Sequence, residues 1–571
     1  MFLVTNCPVN FDTTVLRDID LVCEKPGHAR GILRVFNSHR AKPVDDTFYT
    51  SDETSVSIFE GVVVNSADLM KSHAMKDRAS LLRLALKDES MRLVRDLSGQ
   101  FRGLYIDLEQ GTIRAFTNQT NALNIYYYHQ DELFIAGTSI KQINLLLEAN
   151  GIATHIDETG ALMLLTYGYM LSNYTTIQEI RHLPAGQVVS FAKGKCTTAI
   201  YHRFTNEPLM NDQDKAIGVI HEIFSESLRQ SMQRDDQAGK KHFAFLSGGL
   251  DSRQVVMTSS QLGIRDLQCL NFSDPGYPDE ITARKIARML GYELEFYSLK
   301  DGRYLLDLEK NLRYNEGQVL IHGGAHLFAA LSSMDMSAYG LLHSGQMGDP
   351  ILGSYLHTPK HTEVEFRSRA YSDLLFDRIL GSISHLKDEY PNNEMYLMYN
   401  RGYNGIMNGD HACAEMNYTV SPFLDPALIQ FCLNLAPSIR FRNNTYKEWI
   451  KKYNKLGARL AWEQTGLNLY APQKLIRFYR LIRGAKKRIY QKIYRTTDLI
   501  GMAPFDKWWL ANPALRERFS SPYPMLETLR PRISDELYRD ILTLYKSKRF
   551  SELLQGYSLI TGINYLYQDT D

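Results

Sequence analysis

The chain has 571 residues, more than one hydrophobic core normally supports, so we expect two or three domains. Hydrophobic residues make up 44% and charged residues 23% of the chain, and the net charge of +1 gives no electrostatic reason to expect nucleic-acid binding. The six cysteines form no C-x-x-C pair, which disfavours a zinc site or a disulfide framework. No apolar run reaches the ~18 residues of a membrane span, and the first residues lack the basic start of a signal peptide. These features predict a cytoplasmic protein.

Residues 1–205 are predicted to form an α+β domain with antiparallel strands. Alternating apolar residues and turn residues place strands at 1–5, 57–65, 101–108, 112–116, 125–128 and 133–139. The same reading places two helices, over residues 81–97 and up to about residue 149.

Residues 212–571 have a different character, with strands and helices in alternation. We expect an amphipathic helix over 216–232, a polar loop over 234–241, and strands at 242–246, 267–272 and 293–298 with helices 253–262 and 280–290 between them. This order predicts an α/β doubly wound parallel sheet, whose ligands bind beyond the carboxyl ends of the strands.

The loop after the strand 242–246 reads Leu246-Ser247-Gly248-Gly249-Leu250-Asp251-Ser252. A tight glycine turn that opens a helix offers free backbone N–H groups, and its hydroxyls add donors, so the loop is suited to a phosphate. An aspartate is repelled by a bare phosphate, and Asp251 therefore implies a bridging cation, most simply Mg2+.

The string S-G-G-x-D-S resembles the pyrophosphate loop of the N-type ATP pyrophosphatases, which cut ATP between its α and β phosphates. The resemblance implies that residues 246–252 bind ATP, and that Asn271, in the turn after the next strand, contacts the nucleoside. Asp279 matches a position in the family's following loop, with a helix cap as the alternative role.

Four strings in the first domain, Phe59–Asn65, Leu97–Phe101, Ala136–Lys141 and Leu183–Gly186, occur in a characteristic order. That order resembles the glutaminase domain of the asparagine synthetases, which has the N-terminal-nucleophile fold. Together with the ATP loop, the resemblance covers nearly the whole chain.

The glutaminase residues themselves are missing. The nucleophilic Cys of the family is Phe2 here, the oxyanion-hole Asn is Glu60, and the Asp of L-D-G is Ser98. A carboxylate at the oxyanion hole would repel the developing charge. Cys7 precedes Pro8 and would serve only after removal of a propeptide. We therefore predict a degenerate domain that does not hydrolyse glutamine.

A second glycine loop, Ser344-Gly345-Gln346-Met347-Gly348-Asp349, resembles the S-G-x-G-x-D motif of the asparagine synthetases. The resemblance assigns Ser344 and Gly345 to the nucleotide and makes Asp349 a second Mg2+ ligand beside Asp251. It also makes Lys447, in the segment 444–450, the lysine that neutralises charge on pyrophosphate and on the reaction intermediates.

Gln346 replaces the Glu, Tyr or His that relatives use at this position. Glutamine can orient a group but cannot act as a general base. The candidates for a replacement base are Asp410, His411, Glu415 and Tyr418.

The sequence thus predicts an ATP-dependent, AMP-forming carbon–nitrogen ligase whose substrates are ATP, a carboxylate and ammonia or an amine. A specialised amide or macrolactam synthetase of a natural-product or polysaccharide pathway, and a non-catalytic nucleotide-binding relative, stay open as alternatives. The basic segment 474–495 is predicted to be helical, and it is either a solvated helix or a contact for an acidic carrier, a peptide or an anionic surface.

Overall fold

The structure is a computed structural model that describes residues 1–16, 18–26, 32–494, 500–547 and 549–568. Of these residues, no helix combines the length and apolar character needed to cross a membrane.

The first 200 residues hold two six-stranded antiparallel sheets. The strands are β1 (Phe2–Cys7), β2 (Asp20–Pro26), β3 (Ile32–Asn37), β4 (Phe48–Ser51), β5 (Ser55–Val63), β6 (Gly99–Asp107), β7 (Thr112–Thr117), β8 (Tyr126–Gln130), β9 (Leu133–Gly137), β10 (Arg181–His182), β11 (Gln187–Ala192) and β12 (Lys195–Ile200). Their orders are β10-β8-β9-β1-β3-β2 and β12-β11-β7-β6-β5-β4.

Helices cover the outer faces of these sheets. They are α1 (Ser66–Ser72), α2 (Arg78–Lys87), α3 (Arg92–Asp96), α4 (Ile140–Ala149) and α5 (Glu158–Tyr167). Apolar side chains of the two sheets meet in one core, α2 packs on the second sheet, and α4 packs on the first. Every residue of β5 is buried because both of its faces are covered. The predicted α+β domain with antiparallel strands is therefore observed, as helix, sheet, sheet and helix layers.

The helix predicted over residues 81–97 is wrong in extent. It ends at Lys87 and resumes at Arg92, because Met91 adopts a left-handed backbone conformation with φ 55°. Helices α1 and α5 were not predicted.

The rest of the chain is built around a five-stranded parallel sheet in the order β15-β14-β13-β16-β17. Its elements are α6 (Gln213–Gln237), β13 (Lys241–Phe245), α7 (Asp251–Gln261), β14 (Leu267–Ser273), α8 (Pro278–Leu290), β15 (Glu293–Ser298), α9 (Leu312–Asn315), α10 (Ala325–Ser332), β16 (Tyr339–His343), α11 (Phe376–Ile383), α12 (Asn393–Leu397), α13 (Asn408–Ala414) and β17 (Thr419–Val420). Because β13 and β16 are parallel neighbours, the loops that follow them leave the sheet at the same edge.

Further helices complete this part of the chain. They are α14 (Pro426–Leu433), α15 (Pro437–Arg440), α16 (Asn444–Tyr453), α17 (Lys455–Arg459), α18 (Gln473–Tyr494), α19 (Phe505–Ala511), α20 (Pro513–Arg518), α21 (Tyr523–Leu529), α22 (Asp535–Tyr545) and α23 (Phe550–Tyr567). The last helix, α23, is buried along most of its length and packs on α4 and α5. A Cβ atom on Gly317 would lie 2.6 Å from the Cα of Gly562 in α23, so this contact requires glycine.

The polar loop predicted over residues 234–241 is shorter than predicted and spans residues 238–240, because α6 continues to Gln237 and β13 begins at Lys241. Arg234 is buried there and donates to both carboxylate oxygens of Asp46, at 3.0 and 2.9 Å. Asp235 is buried and accepts from the Leu341 N–H at 2.7 Å, while His343 Nε2 lies 2.8 Å from its Oδ2. These polar residues therefore join α6 to the antiparallel layers and to β16.

Candidate functional site

The two predicted glycine loops meet directly at the edge of the parallel sheet. A Cβ atom on Gly345 would lie 2.4 Å from the backbone carbon of Asp251 and from the nitrogen of Ser252. A Cβ atom on Gly348 would lie 2.7 Å from the Asp251 carboxyl carbon. Side chains are excluded at both positions, and this close approach brings Asp251 and Asp349 together.

Asp251 lies in the first turn of α7, which begins two residues earlier than predicted. One of its carboxylate oxygens accepts from the Asp349 N–H at 3.1 Å, and the other accepts from the Tyr446 hydroxyl at 2.6 Å. Burial, and then the charge of Asp349, raise the pKa of Asp251 well above its usual value. The site therefore holds two carboxylates that repel each other.

Helix α16 supplies the other groups around this pair. Asn443, just before the helix, donates to Asp349 Oδ1 at 2.6 Å. Burial raises the pKa of Asp349, although the positive charge of Lys447 acts in the opposite direction. Lys447 donates to the Arg442 carbonyl at 2.5 Å and keeps part of its surface in solvent. Burial, followed by the charge of Arg480, lowers the pKa of Lys447.

The carboxylates fit a divalent cation. Two carboxylates share one small region, and the positive charges of Lys447 and Arg369 offset part of the charge on Asp349. Carboxylate oxygen is the ligand that Mg2+ prefers. Asp251 and Asp349 would hold such an ion.

The first loop is ordered by its own side chains. Ser252 Oγ accepts from the Ser247 N–H at 2.9 Å, and Ser247 Oγ accepts from the Gly249 N–H at 3.2 Å. The Gly248 N–H donates to Asp279 Oδ1 at 2.6 Å. Leu246 and Leu250 are buried, so they anchor the two ends of the turn.

Asp279 does not cap a helix but braces this loop from the first turn of α8. Burial, and then the neighbouring Glu463, raise the pKa of Asp279 to about 7. Tyr277 donates to Glu463 Oε1 at 2.5 Å. Asp279 and Glu463 therefore form a second acidic pair behind the glycine turn.

Other predicted residues lie around the second loop and the sheet. Ser344 Oγ accepts from the Gln346 N–H at 3.3 Å, and the Gln346 side-chain amide donates to the Ile406 carbonyl at 2.9 Å. Asn271 is buried and donates to the Leu246 carbonyl at 2.8 Å, which ties β14 to the first loop.

Of the four candidate bases, Asp410 and His411 lie in α13, and Glu415 and Tyr418 lie in the loop that follows it. Glu415 pairs with Arg313 at 3.0 Å, and Tyr418 contacts Thr47 at 3.3 Å. His411 Nδ1 lies 3.4 Å from the Asn124 side-chain amide, and burial lowers the pKa of His411 to about 4. Burial raises the pKa of Asp410 to about 8. The choice of a base among them stays a prediction.

In the antiparallel layers, the residues at the predicted glutaminase positions have other roles. Phe2 is buried in the core between the sheets. Arg102 forms an ion pair with Glu60 at 2.8 Å. Burial alone would raise the pKa of Glu60, but Arg102 and other nearby positive charges hold it below its usual value. Ser98 donates to Asp425 Oδ2 at 3.1 Å, which joins the two parts of the chain.

Comparisons with known proteins bear on the segment that contains these loops. Residues 222–455 match the asparagine synthase family. The predicted resemblance to asparagine synthetases is confirmed for this segment, which contains both glycine loops and Lys447.

Two curated relatives are named as glutamine-hydrolysing asparagine synthetases. One, from Acanthamoeba polyphaga mimivirus, is 24% identical over 234 residues, which cover 40% of this chain and 38% of the relative. The other, from Methanocaldococcus jannaschii, is 23% identical over 223 residues, which cover 37% of this chain and 42% of the relative. The alignments therefore span about two fifths of either relative.

Two solved structures are also similar, at 8% and 9% identity over 52% of this chain. They are an allosteric regulatory enzyme of purine biosynthesis, 80% covered with a TM-score of 0.24, and a glutamine PRPP amidotransferase from B. subtilis, 85% covered with a TM-score of 0.22. Scores this low carry no conclusion about the fold.

Proposed function

We propose that this protein is an ATP-dependent amide ligase of the asparagine synthetase type. It activates a substrate carboxylate as an acyl-adenylate and transfers the acyl group to ammonia or an amine. The observation that carries the proposal is the convergence of Asp251, Asp349 and Lys447 where the two glycine loops meet, within the segment that matches the family.

Each group has a role that follows from its position. The loop 246–252 binds the phosphates of ATP through its hydroxyls and the N-terminus of α7, with Ser344, Gly345 and Asn271 towards the nucleoside. Asp251 and Asp349 would hold Mg2+, which would supply positive charge for the pyrophosphate group. Tyr446 and Asn443 orient the two carboxylates through short hydrogen bonds. Lys447, whose charge acts on Asp349, stabilises negative charge that develops on the phosphates.

We infer that residues 1–205 form a glutaminase-like domain of the N-terminal-nucleophile type that has lost its activity, and that residues 212–571 form an ATP-pyrophosphatase-type synthetase domain. The layered antiparallel sheets and the parallel sheet support this division. Burial of Phe2 and the Glu60–Arg102 ion pair support the loss of glutamine hydrolysis. Free ammonia or a substrate amine then supplies the nitrogen.

Gln346 favours a second candidate within the same chemistry, a specialised amide or macrolactam synthetase. Its side chain is engaged by the Ile406 carbonyl and cannot accept a proton from an attacking amine. Such an enzyme would use an acid other than aspartate.

ATP–pyrophosphate exchange with aspartate and a panel of other carboxylic acids tests the proposal, with Asp251→Ala as the control. Exchange with aspartate that the control lacks identifies an ammonia-dependent asparagine synthetase. Exchange only with another acid identifies a specialised ligase. ATP binding without exchange, for every acid, contradicts the proposal and favours a non-catalytic nucleotide-binding protein.

A further inference from the structure

Helix α18 carries a row of large apolar side chains that are exposed to solvent in the described structure. Leu475, Phe478, Ile482, Ile489 and Ile493 are spaced by three, four, seven and four residues, which places them on one helix face. Their side chains are between 40% and 64% exposed. None of the described helices or strands shares an extended interface with α18. A row of this length is unusual on the free surface of a protein.

The same helix is strongly cationic. It contains eight lysine and arginine residues and no acid. Arg477, Arg480 and Arg488 fall on the side of the helix opposite the apolar row, and all are exposed. The side chains of Arg483, Lys486 and Lys487, and the whole of Arg495, lie outside the described residues. Without an acid in the helix, its charge calls for an anionic partner.

We propose that α18 is an interfacial helix that docks the protein on an anionic lipid bilayer. A lipid surface satisfies both features at once, because the apolar row enters the acyl boundary while the cations meet the headgroups. A soluble polyanion such as a nucleic acid would engage the cations but leave the apolar row in water. The helix is long enough to lie along a surface, at about 33 Å for its 22 residues.

Helix α18 lies near the candidate site. Arg480 is near enough to Lys447 to contribute to lowering its pKa, so α18 borders α16. The helix therefore brings the ATP site close to the bilayer. The docking itself does not depend on the proposed ligase activity.

Flotation of the full-length protein with vesicles tests the proposal. We expect binding to vesicles of phosphatidylcholine mixed with phosphatidylglycerol, and much weaker binding to phosphatidylcholine alone. Ile482→Asp combined with Ile489→Asp should lower the partition coefficient by about 100-fold or more, from the lost apolar burial. Arg477→Gln combined with Arg488→Gln should lower it on the anionic vesicles by about 25-fold, at about fivefold per charge. The control Leu209→Asp changes an apolar residue that is 73% exposed elsewhere, and it should bind normally.

A reporter variant keeps the test independent of folding defects. Relative to the native protein, Ile482→Trp should add blue-shifted fluorescence with anionic vesicles and be quenched by brominated lipids, whereas Leu209→Trp should show neither effect. Failure of the native protein to float, equal binding by the double aspartate variant, or binding to heparin without binding to vesicles would each overturn the proposal.

Discussion

The acidic pair behind the glycine turn gives the most quantitative prediction. Asp279 has a pKa of about 7 in the folded protein, against an ordinary value of 3.8. A raised carboxyl pKa means that the folded state holds its proton more tightly than the unfolded state does. Stability from this group is therefore present below about pH 4, and it is lost as the pH rises towards 7. The two pKa values differ by about 3 units, and at about 1.4 kcal/mol per unit this difference corresponds to about 4 kcal/mol of the free energy of unfolding.

Asp279→Asn should remove this dependence. An asparagine amide resembles the protonated carboxyl, because its oxygen can still accept from the Gly248 N–H and its amide can donate to Glu463. The variant should match the native protein near pH 4 and exceed its free energy of unfolding by up to about 4 kcal/mol above pH 7.

Urea unfolding of both proteins between pH 4 and pH 8 measures the difference. Other groups titrate in both proteins, so the difference between the two curves reports Asp279 together with its neighbour Glu463. The control Asp377→Asn alters a carboxylate that is 91% exposed, and it should shift stability little at any pH. A stability difference between Asp279→Asn and the native protein that stays constant with pH would refute the reasoning.

Three further substitutions test the framework and the site. Arg440→Met removes the arginine that donates to both carboxylate oxygens of the buried Glu394, and urea unfolding should show a loss of about 3–5 kcal/mol. Gly345→Ala places a Cβ atom 2.4 Å from the backbone carbon of Asp251. The Asp251 carboxylate should be displaced, and the rate of pyrophosphate exchange should fall by about 100-fold. Lys447→Ala removes the cation beside the acidic pair and should lower exchange by about 100-fold, with a smaller change in the affinity for ATP.

Each of these substitutions has a matched control. Combining Arg440→Met with Glu394→Met should recover much of the lost stability, because an apolar pair replaces the ionic one. Gly249→Ala, whose Cβ would meet only the Ser247 hydroxyl at 3.2 Å, should be milder than Gly345→Ala. Lys447→Arg should retain more exchange than Lys447→Ala. If Gly249→Ala lost as much exchange as Gly345→Ala, or Lys447→Arg as much as Lys447→Ala, the roles assigned to Gly345 and Lys447 would be wrong.

The glycine loops were predictable from sequence because strand, turn and helix follow one another in the chain, and their chemistry is local. The pairing of Asp251 with Asp349 was predicted from the resemblance to the asparagine synthetases, and the structure brings them together because β13 and β16 are parallel neighbours. Tyr446 and Asn443 were missed because their contacts cross from α16 to the loops. Tyr446 lies in the segment 444–450 that was singled out for Lys447, and Asn443 immediately precedes it. That proximity in sequence was the available indication of their roles.

Some helix boundaries and long-range contacts could not be predicted from the sequence, for physical reasons. Arg234 and Asp235 looked like loop residues, but buried ion pairs let α6 carry them into the interior. The break at Met91 depends on a single backbone conformation that an apolar pattern does not reveal. The apolar pattern of α23 did not indicate that this helix packs against α4 and α5. One contact there, from the Asn144 side-chain amide to the Leu566 carbonyl, joins residues 422 positions apart in the chain.

The nucleotide product of turnover tests the central claim most directly. With Mg2+, ATP, ammonia and the acid that supports exchange, the products should be AMP and pyrophosphate in equal amounts, and Asp349→Asn should abolish both. Formation of ADP and inorganic phosphate would contradict adenylation and with it the role assigned to the two glycine loops.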